Sequence, residues 1–244
     1  MNQKRKHTNL RLVTRVVAGV LLAGALPASQ AQSLIHRWSF NNATDSVGSA
    51  TVSLTGGATI SGGALHVNGA SGAGSFGSVN VTADFAANSS ITIEGWFTTA
   101  VVQNWSKVWM FGNGGANANV GTSYLDFTPN RGDNLNPGIS IKPLSSNGDF
   151  AYEASGNHIN AGVEVHAVAT YNYPANTITL YINGVAVISG GMQSTAISAL
   201  QANQFRFGAG LSHDFLFAGL GKYATFPNVH CCPCTSFSIS MHSI

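Results

Sequence analysis

The chain carries nine carboxylates: Asp45, Asp84, Glu94, Asp126, Asp133, Asp149, Glu153, Glu164 and Asp214. Hydrolysis of a glycosidic bond takes two carboxyl groups about 5–10 Å apart. On a β-strand the direct way to present such a pair is at i and i+2, because alternate residues share a face. No two of the nine stand at that spacing. Asp149 and Glu153 are the one pair within four residues, and they flank a stretch that reads as loop. Carboxylates from distant strands are left free to converge, so a glycan-active hydrolase stays as the alternative reading. A Ser-His-Asp arrangement is also open, but no Gly-x-Ser-x-Gly elbow supports it.

Aromatic rings on a sheet surface bind sugars by stacking, which makes Trp105, Tyr124 and Tyr152 the candidate ligand-binding residues. Trp105 lies in a polar context (Gln103-Asn104-Trp105-Ser106), and both tyrosines border loop-like sequence. Trp38 and Trp96 sit among alternating apolar residues and are expected in the core. Trp96 is expected between the sheets, with Ile91 and Ile93 on one face of its strand. His36 and His166 fall within strands and read as satisfied structural histidines. Arg131-Gly132-Asp133 spells an adhesion tripeptide, but three common residue types in loop-rich sequence recur by chance. Asn-x-Ser/Thr sequons at Asn42, Asn80, Asn88 and Asn104 matter only on a glycosylating export route.

These residues need a scaffold, and periodicity supplies one. Short apolar-rich or alternating runs fall at 34–40, 50–54, 64–67, 90–98, 108–112, 123–127 and 137–141. The clearest hairpin follows: EVHAVATY at 164–171, a turn at 172–176, and TITLYI at 177–182. Asn183-Gly184 then signals a tight turn into 185–188. QFRFG at 204–208 closes the readable pattern. Gly-Gly pairs at 56–57 and 62–63 mark further turns. No segment outside the N-terminal leader holds helical periodicity over three turns. Many short strands with evenly spaced turns predict an all-β, antiparallel two-sheet jelly-roll sandwich.

The first 31 residues read as a helical signal peptide. Lys4, Arg5, Lys6, Arg11 and Arg15 precede an apolar run over 16–26, and small residues at Ser29 and Ala31 follow. Eleven apolar residues are too few for a hydrocarbon core, which needs about 20. Cleavage after Ala31 therefore leaves no expected membrane span. Five of the eleven Lys and Arg and none of the nine acids lie in the leader, so six against nine remain, a net charge of −3. That balance lacks the basic footprint of a nucleic-acid binder. Cys231, Cys232 and Cys234 cluster near the C-terminus, which fits neither a distributed disulfide framework nor a four-ligand zinc site.

In order along the chain, HRWSFNNATDSVG (36–48), ALHVNGASG (64–72), SITIEGWF (90–97) and VHAVATYNYPANTITLYINGVAV (165–187) resemble the concanavalin A-like sandwich. The closest likeness is to its laminin-G-like jelly-roll branch. That family often has Trp just before the His-bearing strand, where this chain has Val163 and Glu164. The resemblance implies export, recognition of a glycan or an extracellular protein, and a structural calcium ion. Asp45 matches a position that often helps to hold such an ion, and Asn68 adds an amide oxygen. The same two residues also serve as ordinary turn formers.

The resemblance divides the chain into the leader (1–31), the sandwich (33–219) and an atypical Cys-containing tail (220–244). Members of this family finish on a closing strand resembling Gly-x-Ile-x-Glu-Val-Arg-Ile, which is absent from the tail. Back-translation of the codons from Gly219 permits I-G-E-V-R in a shifted frame, so a frameshift is one reading of the tail and a lineage-specific tail with its own role is the other. The frameshift predicts a sandwich without its closing strand and with an exposed edge. The expected function is a secreted or cell-surface, non-catalytic binding module, or else a purely structural or adhesive one.

Overall fold

The computed structural model describes residues 33–67, 75–99, 102–114, 122–132, 134–146, 148–211, 231–234 and 237–242. The expected leader, Asn68 and Asp133 lie outside them. In chain order the strands begin β1 (Ser33–Trp38), β2 (Ser53–Thr55), β3 (Thr59–Ser61), β4 (Ala64–Val67), β5 (Phe76–Val79) and β6 (Ser90–Thr99). They continue with β7 (Trp109–Asn113), β8 (Ser123–Thr128), β9 (Gly138–Lys142), β10 (Phe150–Glu153) and β11 (Glu164–Asn172). The last are β12 (Thr177–Ile182), β13 (Val185–Gly191), β14 (Gln204–Phe207), β15 (Cys231–Cys234) and β16 (Phe237–His242).

These strands form two antiparallel sheets. The larger has nine strands: β13-β12-β11-β6-β15-β4-β3, with β16 also paired to β6 and to β1. The smaller has seven, β10-β9-β8-β7-β14-β5-β2. Alternation along each strand gives each sheet one apolar face, and the two apolar faces meet. From the larger sheet come Ile91, Ile93, Phe97, Ala167, Ala169, Ile178 and Leu180, all buried. From the smaller come Trp109, Phe111, Leu125, Phe127, Ile139, Phe205 and Phe207. Small residues face large ones. Ala167 and Ala169 leave room for rings, and Phe97 meets Phe127 edge-on with centroids 5.6 Å apart. The Tyr171 hydroxyl crosses the gap and donates to the Asp126 carbonyl at 3.1 Å.

The hairpin signal holds: Asn183 and Gly184 both take positive φ, 51° and 81°, as a tight turn between β12 and β13 requires. A short helix, α1 (Thr82–Ala87), was not expected. At six residues it is too short to show periodicity, yet its Phe85 packs 4.8 Å from Phe205 and 5.9 Å from Phe111.

Two expectations are corrected. Trp96 is not in the core. In β6 the odd positions Ile91, Ile93, Gly95 and Phe97 face inward, so Trp96 falls on the outer face, half-buried and stacked on His166 at 4.2 Å. The register of the strand is set by Phe97. The tail also differs from its expected state, because residues 231–234 and 237–242 are strands within the larger sheet. β16 runs antiparallel to β6, with Phe237, Ile239 and Met241 opposite Gly95, Ile93 and Ile91. The alternating sequence F-S-I-S-M-H suits a strand, a pattern obscured by the cysteines before it.

The turn after β1 is fastened by side chains. Asp45 Oδ1 accepts the amides of Arg37 and Val47, each at 2.9 Å. Its Oδ2 lies 2.5 Å from His36 Nδ1, and His36 Nε2 lies 3.0 Å from Asp84 on α1. The imidazole stacks on Trp38 at 5.3 Å. Burial pushes the Asp45 carboxyl up, but bonds from the Arg37 amide, His36 and the Val47 and Gly48 amides together hold it below 3.8. The folded carboxyl is therefore the stronger acid. Its contribution is present above the unfolded value, about 3.9, and is lost as pH falls through the lower folded value.

Two predictions follow from this packing. Phe97→Ala costs about 3–5 kcal/mol as a large-to-small core change, and Trp96→Ala costs clearly less; equal losses in urea melts would contradict the register. Asp45→Asn flattens the fall in stability as pH drops below about 4, the unfolded carboxyl value. An acid limb as steep as that of the parent protein would remove Asp45 from that role.

Candidate functional site

The outer face of the smaller sheet carries a cluster that its strand alternation alone does not explain. Tyr124, Asp126 and Thr128 of β8 point away from the core side chains Leu125 and Phe127, yet all three are buried. Loops fold over them. Lys107 forms a close ion pair with Asp126, each side chain 2% exposed, and Ser140 of β9 donates to the same carboxylate. A charge pair this enclosed is held by its mutual bonding, and loss of one partner strands the other. Tyr124 packs with Met110 and Leu211, and Lys142 lies 5.9 Å from its ring centre. Burial, then the charges of Asp126 and Asp149, raise the Tyr124 hydroxyl well above the usual phenol range, so it remains neutral.

Trp105 lies on the loop above this layer with φ +62°, a left-handed conformation rare for a bulky residue. Its amide donates to the Asn130 carbonyl at 2.8 Å, which fixes the loop against the start of the next one. The Arg131 guanidinium sits 4.9 Å from the indole centre, and Lys107 Nζ sits 5.8 Å from it. Cation and ring attract at such distances. Arg131 lies flat over Gly138, where a Cβ would come within 2.9 Å of its Cδ. Its Nη2 is 3.0 Å from Asp149 Oδ2, and its Nε is 3.8 Å from Glu153 Oε1. Asn134 Nδ2 donates to the other Glu153 oxygen at 3.2 Å. Asn130 is fully buried, and its Oδ1 accepts no hydrogen bond among the described residues.

Of the three aromatic candidates, Trp105 and Tyr124 share this face. Tyr152 does not. It lies on the inner side of β10, and its hydroxyl donates to the Gly191 carbonyl at 2.8 Å while accepting the Gly191 amide at 3.0 Å. Tyr152 is thus a strut between the two sheets. Around Asp45 the described residues form a hydrogen-bonded turn. A calcium ion on Asp45 Oδ2 has to displace the His36 contact, and Asn68 lies outside the described residues. No group of three or more His, Cys, Asp or Glu among the described residues is arranged to hold a metal.

Sequence reasoning missed Arg131, Asp149, Glu153 and Asn130 as site residues. The spacing of Asp149 and Glu153 was a signal, but what joins them is Arg131, 18 residues before Asp149. That arginine is turned onto Trp105, away from any adhesion-tripeptide display.

No curated protein sequence matches the chain. Domain 4 of AbnA, a GH43 extracellular arabinanase from Geobacillus stearothermophilus solved with arabinotriose, superposes with a TM-score of 0.59 at 16% identity. That superposition covers 87% of this chain and 94% of that domain. The botulinum neurotoxin serotype C1 binding domain gives 0.62 at 12% identity, over 87% of this chain and 49% of that one. The Ruminococcus gnavus IT-sialidase CBM40 bound to α2,3-sialyllactose gives 0.51 at 10% identity, over 68% and 86%. Likeness at these identities concerns the fold. A family model matches residues 68–221, more than half of the sequence, and the chain belongs to that family, Laminin_G_3 of the concanavalin A-like lectin/glucanase superfamily.

Proposed function

We propose that this chain is an exported, non-catalytic module that binds glycan on the outer face of the seven-stranded sheet. One observation carries the reading. Trp105 is held in a left-handed backbone conformation with its partly buried ring braced by Arg131, which Asp149 and Glu153 hold in turn. Rigid presentation of an indole beside hydrogen-bonding charges is an arrangement suited to a sugar, whose ring has an apolar face and a rim of hydroxyls. Neighbours on the same fold are seen with arabinotriose and with sialyllactose, which supports glycan over other ligands. Another neighbour is bound to rat synaptotagmin II, so an extracellular protein is the second kind of partner to weigh.

The hydrolase alternative is weakened by the role of the acids. Asp149 and Glu153 converge, but on Arg131, which pairs with both. Export through residues 1–31 belongs to the same proposal; N-terminal sequencing of secreted protein should begin at Gln32.

A glycan array tests the reading. The protein should show saturable binding that Trp105→Ala weakens by about ten-fold or more, equivalent to about 1.4 kcal/mol, with an unchanged melting temperature. Sugar release from a polysaccharide would instead favour the hydrolase. Attachment to cells or matrix without saturable glycan binding would favour the adhesive module. Structural calcium, proposed from the family, should raise the melting temperature; an identical melt in chelator removes it.

A further inference from the structure

We infer that the ligand of the Trp105 site is an uncharged glycan, whose hydroxyls donate to Asp149 and Glu153 while a ring face lies on the indole. The inference rests on the glycan-binding reading above and narrows it by charge.

The cluster contains cations and anions, but they do not occupy the same depth. The Lys107 side chain is 2% exposed and fixed on Asp126. The Arg131 side chain is 10% exposed, with Trp105 over it and two carboxylates against it. Asp149 and Glu153, at 29% and 35%, are the parts that reach solvent. Lys142 lies at Tyr124, and Arg206 donates to the Gly210 carbonyl and to Gln204 Oε1 on β14. Beside the indole, an approaching ligand therefore meets the Asp149 and Glu153 carboxylates before it meets Arg131.

Carboxylate oxygens accept hydrogen bonds and have none to give. Sugar hydroxyls are donors, and bonds from a hydroxyl to an ionised acceptor are short and strong. Asn134 fixes one oxygen of Glu153, leaving the carboxylate oriented with acceptor capacity toward solvent. A ligand carboxylate or sulfate supplies only acceptors. To reach Arg131 it has to expel Asp149 from a 3.0 Å ion pair while passing two like charges. The site is built to reject it, and rejection of the wrong charge is as much a part of specificity as attraction.

The experiment uses the purified chain and a panel in which each neutral oligosaccharide is paired with its uronate, sialylated or sulfated counterpart. Neutral members should bind about ten-fold or more tightly than their partners at low salt, with the gap shrinking at high salt. Glu153→Gln should narrow the gap chiefly by strengthening the charged member. Asp149→Asn provides the same readout if Glu153→Gln lowers the melting temperature. Equal or tighter binding of the charged members, or an unmoved gap in both variants, overturns the inference while leaving glycan binding intact. Absence of binding across both halves of the panel overturns the glycan-binding reading itself.

Discussion

Two sheets can share one dry interior only if their inner faces fit ring against methyl, and this constraint organises the molecule. Five rings of the smaller sheet, Trp109, Phe111, Phe127, Phe205 and Phe207, are buried against alanines and aliphatic residues of the larger one. Protein interiors pack as densely as organic crystals, so a ring on one face requires a small side chain opposite. The narrow column Gly95, Ala167 and Ala169 is the counterpart of that aromatic wall. With the interior fixed in this way, the outer face of β7 to β10 becomes a stiff floor. The loops around Trp105 and Arg131 are laid on that floor.

That floor explains how charges survive inside the cluster. Most polar positions of this sequence are Ser, Thr, Asn and Gly, and charged residues make up only 8% of it. The few charges present are used in local pairs. Lys107 meets Asp126, Arg131 meets Asp149 and Glu153, and His36 lies between Asp45 and Asp84. Asp126 has a double part. Its side chain holds Lys107 and Ser140 on the outer face, and its carbonyl accepts the Tyr171 hydroxyl from the core. The buried ring of Tyr171 keeps its proton, since burial and the Asp126 charge both oppose ionisation.

The fold was legible in the sequence wherever alternation met a turn signal. The hairpin β11–β12 and the Asn183-Gly184 turn are the clearest instances. β10 was not legible, because its residues are only partly buried and its flanks resemble loop. Trp96 misleads because a tryptophan among apolar residues suggests the core, although Phe97 beside it demands the inner face. The candidate site was legible only at Trp105 and Tyr124. Arg131, Asp149 and Glu153 come together through the pairing of β8 with β9 and of β9 with β10. No local pattern encodes that meeting.

The position of β16 bears on how the chain acquires its structure. β6 pairs with β11 on one side and with β15 and β16 on the other, so residues near the end of the chain complete a strand from its first half. Pairing of β1 with β16 joins still more distant segments. Contacts this remote in sequence slow folding. During synthesis, one side of β6 has no partner strand until residues 231–242 have emerged. Until then that side of β6 is an open edge, exposed to wrong pairing.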